Sequence, residues 1–326
     1  MDPFHPVCRT PPGLVLPVGV DATGRAGPTR GQAANRGWRR VGQNRYVPAD
    51  VDPTVPEQRI LEASIHVPPG GAITGWAGLR LARGSYFDGR GRSGDETHDV
   101  LIATGATQGR RRHPGIALTY EPLGPDESWY FFGVPVALPV RCTFDELRRP
   151  DLGPEAVVAL DMAMAATLVT PERLSAYLAE RRAWRRSSLV VRALALAARG
   201  SRSPGESRSR LEWLSCGFPT PLLNREIFTL DGRFVCEADM LDVEAGMVVE
   251  YDGSEHLKLG RRAKDVARQQ RCGRVQLEYC TVTAPDLHTP AVVRERFVWH
   301  RGRALFLPPE KRLWTLEAPP GWLPYR

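Results

Sequence analysis

The chain has 326 residues, of which 42% are apolar and 25% are charged, and its formal net charge is +7. This is the composition of a globular protein, which excludes a wholly disordered chain and a fibrous repeat. The length exceeds what a single hydrophobic core usually serves, so we expect about two or three domains.

The cysteines and the apolar segments indicate a cytoplasmic protein. The six cysteines form no CxxC pair, which argues against a structural zinc site and against a disulfide-stapled secreted module. The most apolar stretch, Ser188–Ala198, contains Arg192 and is far shorter than the ~20 residues that a membrane-spanning helix needs. The run Gly13–Val20 contains Pro17 and lacks the basic start of a signal peptide. We therefore expect reduced thiols and no membrane partner.

The first half of the chain is predicted to hold an irregular arm and then a mixed α/β region. Residues 1–30 are rich in proline and glycine, which favours a poorly ordered arm. Residues 31–150 follow as the mixed α/β region. Within it the pattern predicts a hairpin over 36–48, strands over 98–104 and 129–140, and a helix over 143–147 with Thr143 as its N-cap.

A basic helical connector is predicted over residues 151–202. Helices are expected over Pro154–Thr167, from Thr170 as an N-cap, and over Arg181–Ala198. Between Arg181 and Arg210 the chain carries nine arginines and one acid, Glu206, so this stretch alone nets +8. Such a stretch attracts a phosphate backbone, although a basic run can equally be a solvated helix face.

Residues 203–300 show a compact alternation of elements, and residues 301–326 are predicted to be an irregular tail. The boundary is placed at the breaker sequence over 200–205. The predicted elements are a helix to Cys216, strands Leu222–Leu230, Arg233–Leu241 and Met247–Asp252, helix Leu259–Cys272 closed by Gly273, strand Val275–Thr283 and helix Pro290–Trp299. The order α-β-β-β-α-β-α indicates a mixed sheet with helices against it.

Carboxylates cluster in this predicted sheet. In Met247–Asp252 the two-residue strand period places Glu250 and Asp252 on one face, and Asp239 lies towards the end of the preceding strand. Carboxylate oxygens on neighbouring strands suit a hard divalent cation such as Mg²⁺ or Mn²⁺, and Glu206 could add another. On spacing alone, these acids are also compatible with ordinary strand-edge and turn residues.

Three short motifs occur in order at Ser203–Arg208, Glu237–Asp239 and Val248–Gly253, and His256 follows them. Together they resemble the very-short-patch-repair-like branch of the PD-(D/E)xK nuclease superfamily, a domain common in actinobacterial proteins. The resemblance covers residues 203–290, about a quarter of the chain. It implies a restriction-endonuclease-like αβββαβ core, preceded by the mixed α/β region and the helical connector.

The resemblance also implies a catalytic site made of Glu206, Asp239, Glu250, Asp252 and His256. Asp239 and Glu250 would hold Mg²⁺ or Mn²⁺, Glu206 would be an accessory acid on its helix, and His256 a general base or metal ligand. The chain departs from the superfamily at Asp252, which stands where a lysine usually orients the attacking water.

The helix after this site carries a basic stripe made of Arg261, Lys264, Arg268 and Arg271. The spacing of i, i+3, i+7 and i+10 places the four on one helix face. Beside an acidic metal site the stripe suits a track for DNA phosphates, and a solvated outer face is the alternative.

The first half shows a weaker resemblance to antitoxin proteins of the AbiEi type. It rests on Trp38–Val41 with Arg45–Val47, on Ala72–Leu79 and on Arg141–Leu147. It implies a degenerate winged-helix domain, because residues 11–30 are too rich in glycine and proline to supply the helices before the wing.

Two functions follow from these resemblances, and a scaffold protein whose arginines reflect genome composition is a third interpretation of the sequence. One is a metal-dependent DNA endonuclease, nicking or mismatch-repair-like. The alternative is a catalytically weak or inactive nuclease fold that acts as a DNA-binding regulator or antitoxin-like protein, with a protein partner left open. The retained acids favour the first function, and Asp252 in the lysine position favours the second.

Overall fold

The computed structural model describes residues 5–92, 94–105, 113–253 and 259–323, with the backbone alone at 259–264. The chain divides into two compact units, Pro6–Ala195 and a second one made of Met1–His5 with Leu196–Arg326. Both are α+β, and each contains a five-stranded mixed sheet. None of the helices in the described ranges is long and apolar enough to cross a membrane.

The first unit combines a small hairpin, a mixed sheet and surrounding helices. Its strands are β1 (Trp38–Gly42), β2 (Arg45–Pro48), β3 (Ala72–Thr74), β4 (Val100–Ala103), β5 (Ile116–Thr119), β6 (Ser128–Phe131) and β7 (Val134–Ala137). Its helices are α1 (Arg30–Ala33), α2 (Pro56–Ala63), α3 (Gly75–Leu81), α4 (Pro139–Leu147), α5 (Glu155–Ala165), α6 (Pro171–Ala179) and α7 (Ser187–Leu196), the last ending at the first residue of the second unit. The sheet order is β5-β4-β3-β7-β6, with β4/β5 and β3/β7 parallel.

Local sequence signals set several elements of this unit. The predicted hairpin is confirmed as β1 and β2, with Asn44 in the left-handed region at φ 51°. Thr170 caps α6 as predicted, because its hydroxyl accepts a hydrogen bond from the Arg173 N–H at 3.2 Å. The arm expected to be poorly ordered makes defined contacts within residues 5–30. Val18 exchanges two backbone hydrogen bonds of 2.9 Å with Tyr46.

The start was predicted wrongly for two helices of this unit. Thr143 is not an N-cap, because α4 begins at Pro139, whose fixed φ suits the first helical position. The basic helix begins at Ser187 and not at Arg181. Arg186 takes φ 63°, which a right-handed helix cannot include.

The second unit follows the α-β-β-β-α-β-α order predicted for it. Its elements are α8 (Pro204–Ser215), β8 (Leu222–Thr229), β9 (Phe234–Asp242), β10 (Met247–Asp252), α9 (Leu259–Arg274), β11 (Glu278–Thr283), α10 (Pro290–Arg303) and β12 (Trp314–Thr315). The sheet order is β11-β10-β9-β8-β12, in which β10 and β11 are parallel and the other pairs antiparallel.

The alternation predicted along β10 divides two cores. Met247 and Val249 pack in one core with Trp213 of α8, and Val248 packs in the other with Cys272 of α9. Glu250 belongs to the face of Val248 by the strand period. The sheet therefore has α8 against one face and α9 against the other, and the polar end of β10 lies between them.

Two boundaries in this unit differ from the sequence prediction. Helix α9 continues through Gly273 to Arg274, and β11 begins only at Glu278. The predicted irregular tail contains β12, which pairs with β8 and buries Trp314. These features depend on contacts distant in sequence, which local patterns do not encode.

Candidate active site

Asp239 and Glu250 are brought together by the antiparallel pairing of β9 and β10. The register pairs Met240 with Val249, one residue from each carboxylate. The backbone N–H of Tyr251 donates a hydrogen bond of 2.7 Å to Asp239 Oδ2. The convergence of these two acids, which the sequence predicted from neighbouring strands, is therefore present.

Glu250 is the more perturbed of the two carboxyl groups. Its residue is only 7% exposed. Burial raises the pKa of Glu250 well above its usual range, and the negative charge of Asp239 raises it further, while Arg268 acts in the opposite direction. A carboxyl group in this setting favours a cation as a partner whenever it is ionised.

The two oxygens of Glu250 have different surroundings. Oε2 accepts a hydrogen bond from the Arg268 guanidinium of α9. Oε1 is buried and has no hydrogen-bond partner among the described residues. Burial lowers the pKa of Arg268, but the charge of Glu250 outweighs it, so the pKa of Arg268 is raised and the guanidinium stays charged. One carboxylate oxygen is thus paired and the other is an open acceptor.

Glu206 occupies a separate position at the start of α8. Its Oε2 accepts hydrogen bonds from the Arg202 N–H at 2.8 Å and from Asn224 Nδ2 at 3.0 Å. Ser203 caps the same helix by accepting from the Glu206 N–H at 3.3 Å. Among the described residues, no group of three or more His, Cys, Asp or Glu side chains is placed to hold a metal ion. The structure therefore brings two of the predicted carboxylates together and uses the third in a capping network.

Asn224 links that network to the sheet, and the sequence analysis did not identify it. It lies on β8 between the pairs Leu223–Met240 and Arg225–Ala238, at the level of Asp239 on β9. Its φ of 48° is left-handed, a conformation that asparagine tolerates better than most residues. An asparagine inside a strand pattern was the available signal.

The remaining predicted site residues are placed in part. Asp252 ends β10 and is half-buried, and its carbonyl accepts from the Ala284 N–H at 3.2 Å. His256 lies outside the described residues, as do the side chains of Arg261 and Lys264.

Two described members of the basic stripe, Arg268 and Arg271, turn towards the sheet. Arg268 binds Glu250, and Arg271 Nε donates to the Val235 carbonyl on β9 at 2.7 Å. Both contacts tie α9 to the strands that carry the acids. These two arginines therefore do not lie on a fully solvated helix face. One N–H donor of Arg271 is already used in a hydrogen bond within the fold.

Glu250 Oε1 and the carboxylate of Asp239 could therefore hold a cation between them, while Glu250 Oε2 remains paired with Arg268. Comparison of the chain with known proteins found no matching family, no matching protein of curated function and no matching solved structure.

Proposed function

We propose that the second unit is a metal-dependent DNA endonuclease that hydrolyses phosphodiester bonds. The order of α8, β8, β9, β10, α9 and β11 agrees with the αβββαβ core of the PD-(D/E)xK superfamily. Asp239 lies on β9 and Glu250 on the neighbouring β10, at the positions where the resemblance implies the metal ligands.

The observation that carries the proposal is the buried Oε1 of Glu250 beside Asp239, which has no hydrogen-bond partner within the described ranges. An orphaned carboxylate oxygen is costly in a fold unless a ligand satisfies it. Two carboxylates fit a hard cation that takes its remaining ligands from water and a phosphate. We assign Asp239 and Glu250 as the groups that would hold Mg²⁺ or Mn²⁺. The bound ion would supply charge stabilisation at the phosphate and a more acidic water.

The neighbouring residues hold the acids in place and in the required state. Arg268 stabilises the ionised form of Glu250 and supplies a positive charge at that carboxylate, two residues along the chain from Asp252, which stands in place of the superfamily lysine. The Tyr251 N–H fixes one oxygen of Asp239. Glu206, through Asn224, fastens the start of α8 to β8. Arg268 is 36% exposed in its side chain, so its charge remains accessible to a DNA phosphate.

A second function is favoured by one specific observation. Arg268 already neutralises Oε2 of Glu250, and no third carboxylate joins the pair in the described part of the chain. A site satisfied by an internal cation can have lost its metal. In that case the unit would bind DNA without cleaving it, as a regulator or an antitoxin-like protein, in line with the AbiEi-type resemblance of the first half.

The test is incubation of supercoiled plasmid with the purified chain in Mg²⁺, in Mn²⁺ and in EDTA. We expect nicking in either metal and none in EDTA. Glu250→Gln and Asp239→Asn should each reduce the rate by about a hundredfold or more, because each removes a ligand charge. Glu237→Gln is the matched control, since Glu237 lies on β9 like Asp239 but pairs with Arg202 at 2.5 Å.

Each outcome separates the two functions. Cleavage that persists in EDTA or in Glu250→Gln would place the chemistry elsewhere and contradict the proposed site. Salt-sensitive DNA binding without cleavage in either metal would support the regulator instead.

A further inference from the structure

A cavity of about 880 Å³ lies within the first unit, to which all of its lining residues belong. It is bounded by the edge strand β5, the start of α3, the end of α4 and the turn before α7. Its volume falls in the range of about 300–1,000 Å³ typical of small-molecule sites. The side chains that matter to its chemistry are those of Asp99, Tyr120, Arg148, Arg185 and Arg186.

The walls of the cavity are fastened by one guanidinium. Arg148 donates to Glu121 Oε1 at 2.7 Å, to Asp145 Oδ1 at 2.6 Å and to the Arg185 carbonyl at 2.9 Å. The segment that carries Tyr120 and the segment that carries Arg185 are thus held to the same buried group. Because these segments are already held together, ligand binding costs little conformational entropy for ordering their backbones.

Two aromatic residues, Trp76 and Tyr120, line the cavity. The Trp76 backbone N–H donates to Glu146 Oε2, and its indole N–H donates to the Asp99 carbonyl, both at 2.8 Å. Tyr120 is 48% exposed, although a large aromatic side chain gains free energy by burial. Because Trp76 is only 2% exposed and the Arg59 guanidinium lies over its ring, the exposed ring of Tyr120 is the face suited to stacking against a heterocycle.

Some of the arginines that line the cavity are paired with acids and others are not. Arg148 and Arg149 are neutralised by Glu121, Asp145 and Glu146. Arg185 and Arg186 are exposed and make no ion pair within the described residues. Two consecutive arginines without an ion-pair partner among the described residues supply guanidinium forks of the kind that binds a phosphate.

We propose that this cavity binds a nucleoside monophosphate. Arg185 and Arg186 would bind the phosphate, the Tyr120 ring would contact the base, and the Asp99 carboxylate would accept a hydrogen bond from a sugar hydroxyl. The combination of an anion site, one stacking surface and a hydroxyl acceptor around about 880 Å³ selects a ligand with all three features.

The test is isothermal titration of the full chain with AMP, GMP, CMP and UMP, and with inorganic phosphate, adenosine and a 5′-phosphorylated trinucleotide as comparisons. At least one mononucleotide should bind saturably and about tenfold or more tighter than phosphate or adenosine. Arg185→Gln with Arg186→Gln should weaken it about tenfold or more, because the anion loses both forks. Tyr120→Ala should weaken it about fivefold or more.

Arg182→Gln is the control, because Arg182 is an exposed arginine of the same turn region that does not line the cavity. The substituted side chains are solvent-exposed, and Arg148 contacts only the backbone of Arg185, so circular dichroism should remain unchanged. The proposal is overturned by the absence of saturable binding for all four nucleotides. Equal weakening in Arg182→Gln, phosphate binding as tight as the nucleotide, or a trinucleotide that binds tenfold tighter would overturn it too.

Discussion

Glu250 combines burial, a neighbouring carboxylate and a cationic partner, Arg268. The free energy needed to bury its charge depends on Arg268, because a buried carboxylate without a cation must either become protonated or remain without a partner. This interdependence can be measured apart from any catalytic activity.

Arg268→Met should destabilise the protein by about 1–3 kcal/mol, below the loss expected for a fully buried pair, because Arg268 is partly screened by water. Glu250→Gln with Arg268→Met should recover part of that stability, since no carboxylate is then left without a partner. Urea unfolding of the wild type, both single variants and the double variant measures the coupling free energy. Additive effects would show that the two side chains do not interact.

The sequence could predict the acids but not their cation. The period of β10 and the adjacency of two strands place Asp239 near Glu250 from local patterns alone. The spacing of Arg268 and Arg271 fixes only that they share a helix face. Which way that face points depends on how α9 packs on the sheet, through contacts such as Arg271 to the Val235 carbonyl.

At the scale of elements, the start of α8 is seated on β10 through a glycine. A Cβ added to Gly205 would lie 2.0 Å from Cζ of Tyr251. Tyr251 packs against the core that contains Trp213, so the ring has little freedom to move. The close approach determines where Glu206, the next residue, lies relative to the sheet.

Gly205→Ala should therefore destabilise the second unit by about 2 kcal/mol, because the added methyl overpacks a fixed ring. Gly273→Ala is its matched control within α9, where nothing lies within 4 Å of the added atom. That substitution should stabilise by about 0.5–1 kcal/mol through higher helix propensity. Chemical denaturation of both variants decides the matter, and a stabilising Gly205→Ala would contradict the seating of α8.

The contacts of Glu121 join the segment after β5 to α4 and should make the first unit sensitive to acid. Burial would raise the pKa of Glu121, but hydrogen bonds from Arg148 and Thr119 outweigh it and lower the pKa to about 2. The folded pKa lies below the ordinary value near 4.5, so this carboxylate stabilises the fold fully above that pH. Its contribution then disappears as the pH falls from about 4.5 to about 2.

Glu121→Gln should remove that part of the acid sensitivity. We expect about 1 kcal/mol less decrease in unfolding free energy between pH 5 and about pH 2 than in the wild type, a value reduced for solvent screening of the partly exposed carboxyl. Urea unfolding at a series of pH values gives both curves. Parallel curves would show that the contact with Arg148 does not hold in solution.

Element boundaries were predictable where the deciding contact is local. Thr170 caps its own helix, and Asp231–Gly232 turns its own hairpin, with Gly232 at φ 83°. The two-residue strand β12 has no comparable local signal. It exists because Trp314 finds a buried place beside β8, far from it along the chain.

At the scale of the whole molecule, the arginine-rich stretch does not act as one surface. Arg181 pairs with Glu127 in the first unit, and Arg202 pairs with Glu237 in the second. Arg210 is buried and donates to the Leu196 carbonyl at 2.7 Å. Arg181 and Arg210 therefore add charge to the composition without presenting it to a partner, whereas the charge of Arg202, whose side chain is 58% exposed, is offset by Glu237 at the surface. The sequence-level surplus therefore overstates the cationic surface.

The exposed members of the stretch should account for its effect on DNA binding. Arg182, Arg185 and Arg192 are exposed and make no ion pair within the ranges that the structure describes. If DNA binds through this stretch, substituting all three by glutamine should reduce the slope of log K against log salt by about one for each phosphate that an arginine no longer neutralises. Arg202→Gln is the control, since its guanidinium is already paired with Glu237.

Fluorescence anisotropy of a labelled duplex over a salt series measures these slopes. A slope unchanged in the triple variant would show that these three arginines face only water, and DNA binding would then fall to other cations such as Arg268 of the second unit. A slope reduced as much by Arg202→Gln as by the triple variant would instead show that the Arg202–Glu237 pair opens when DNA binds. The net charge alone cannot distinguish these cases, because it counts buried and paired guanidinium groups together with exposed ones.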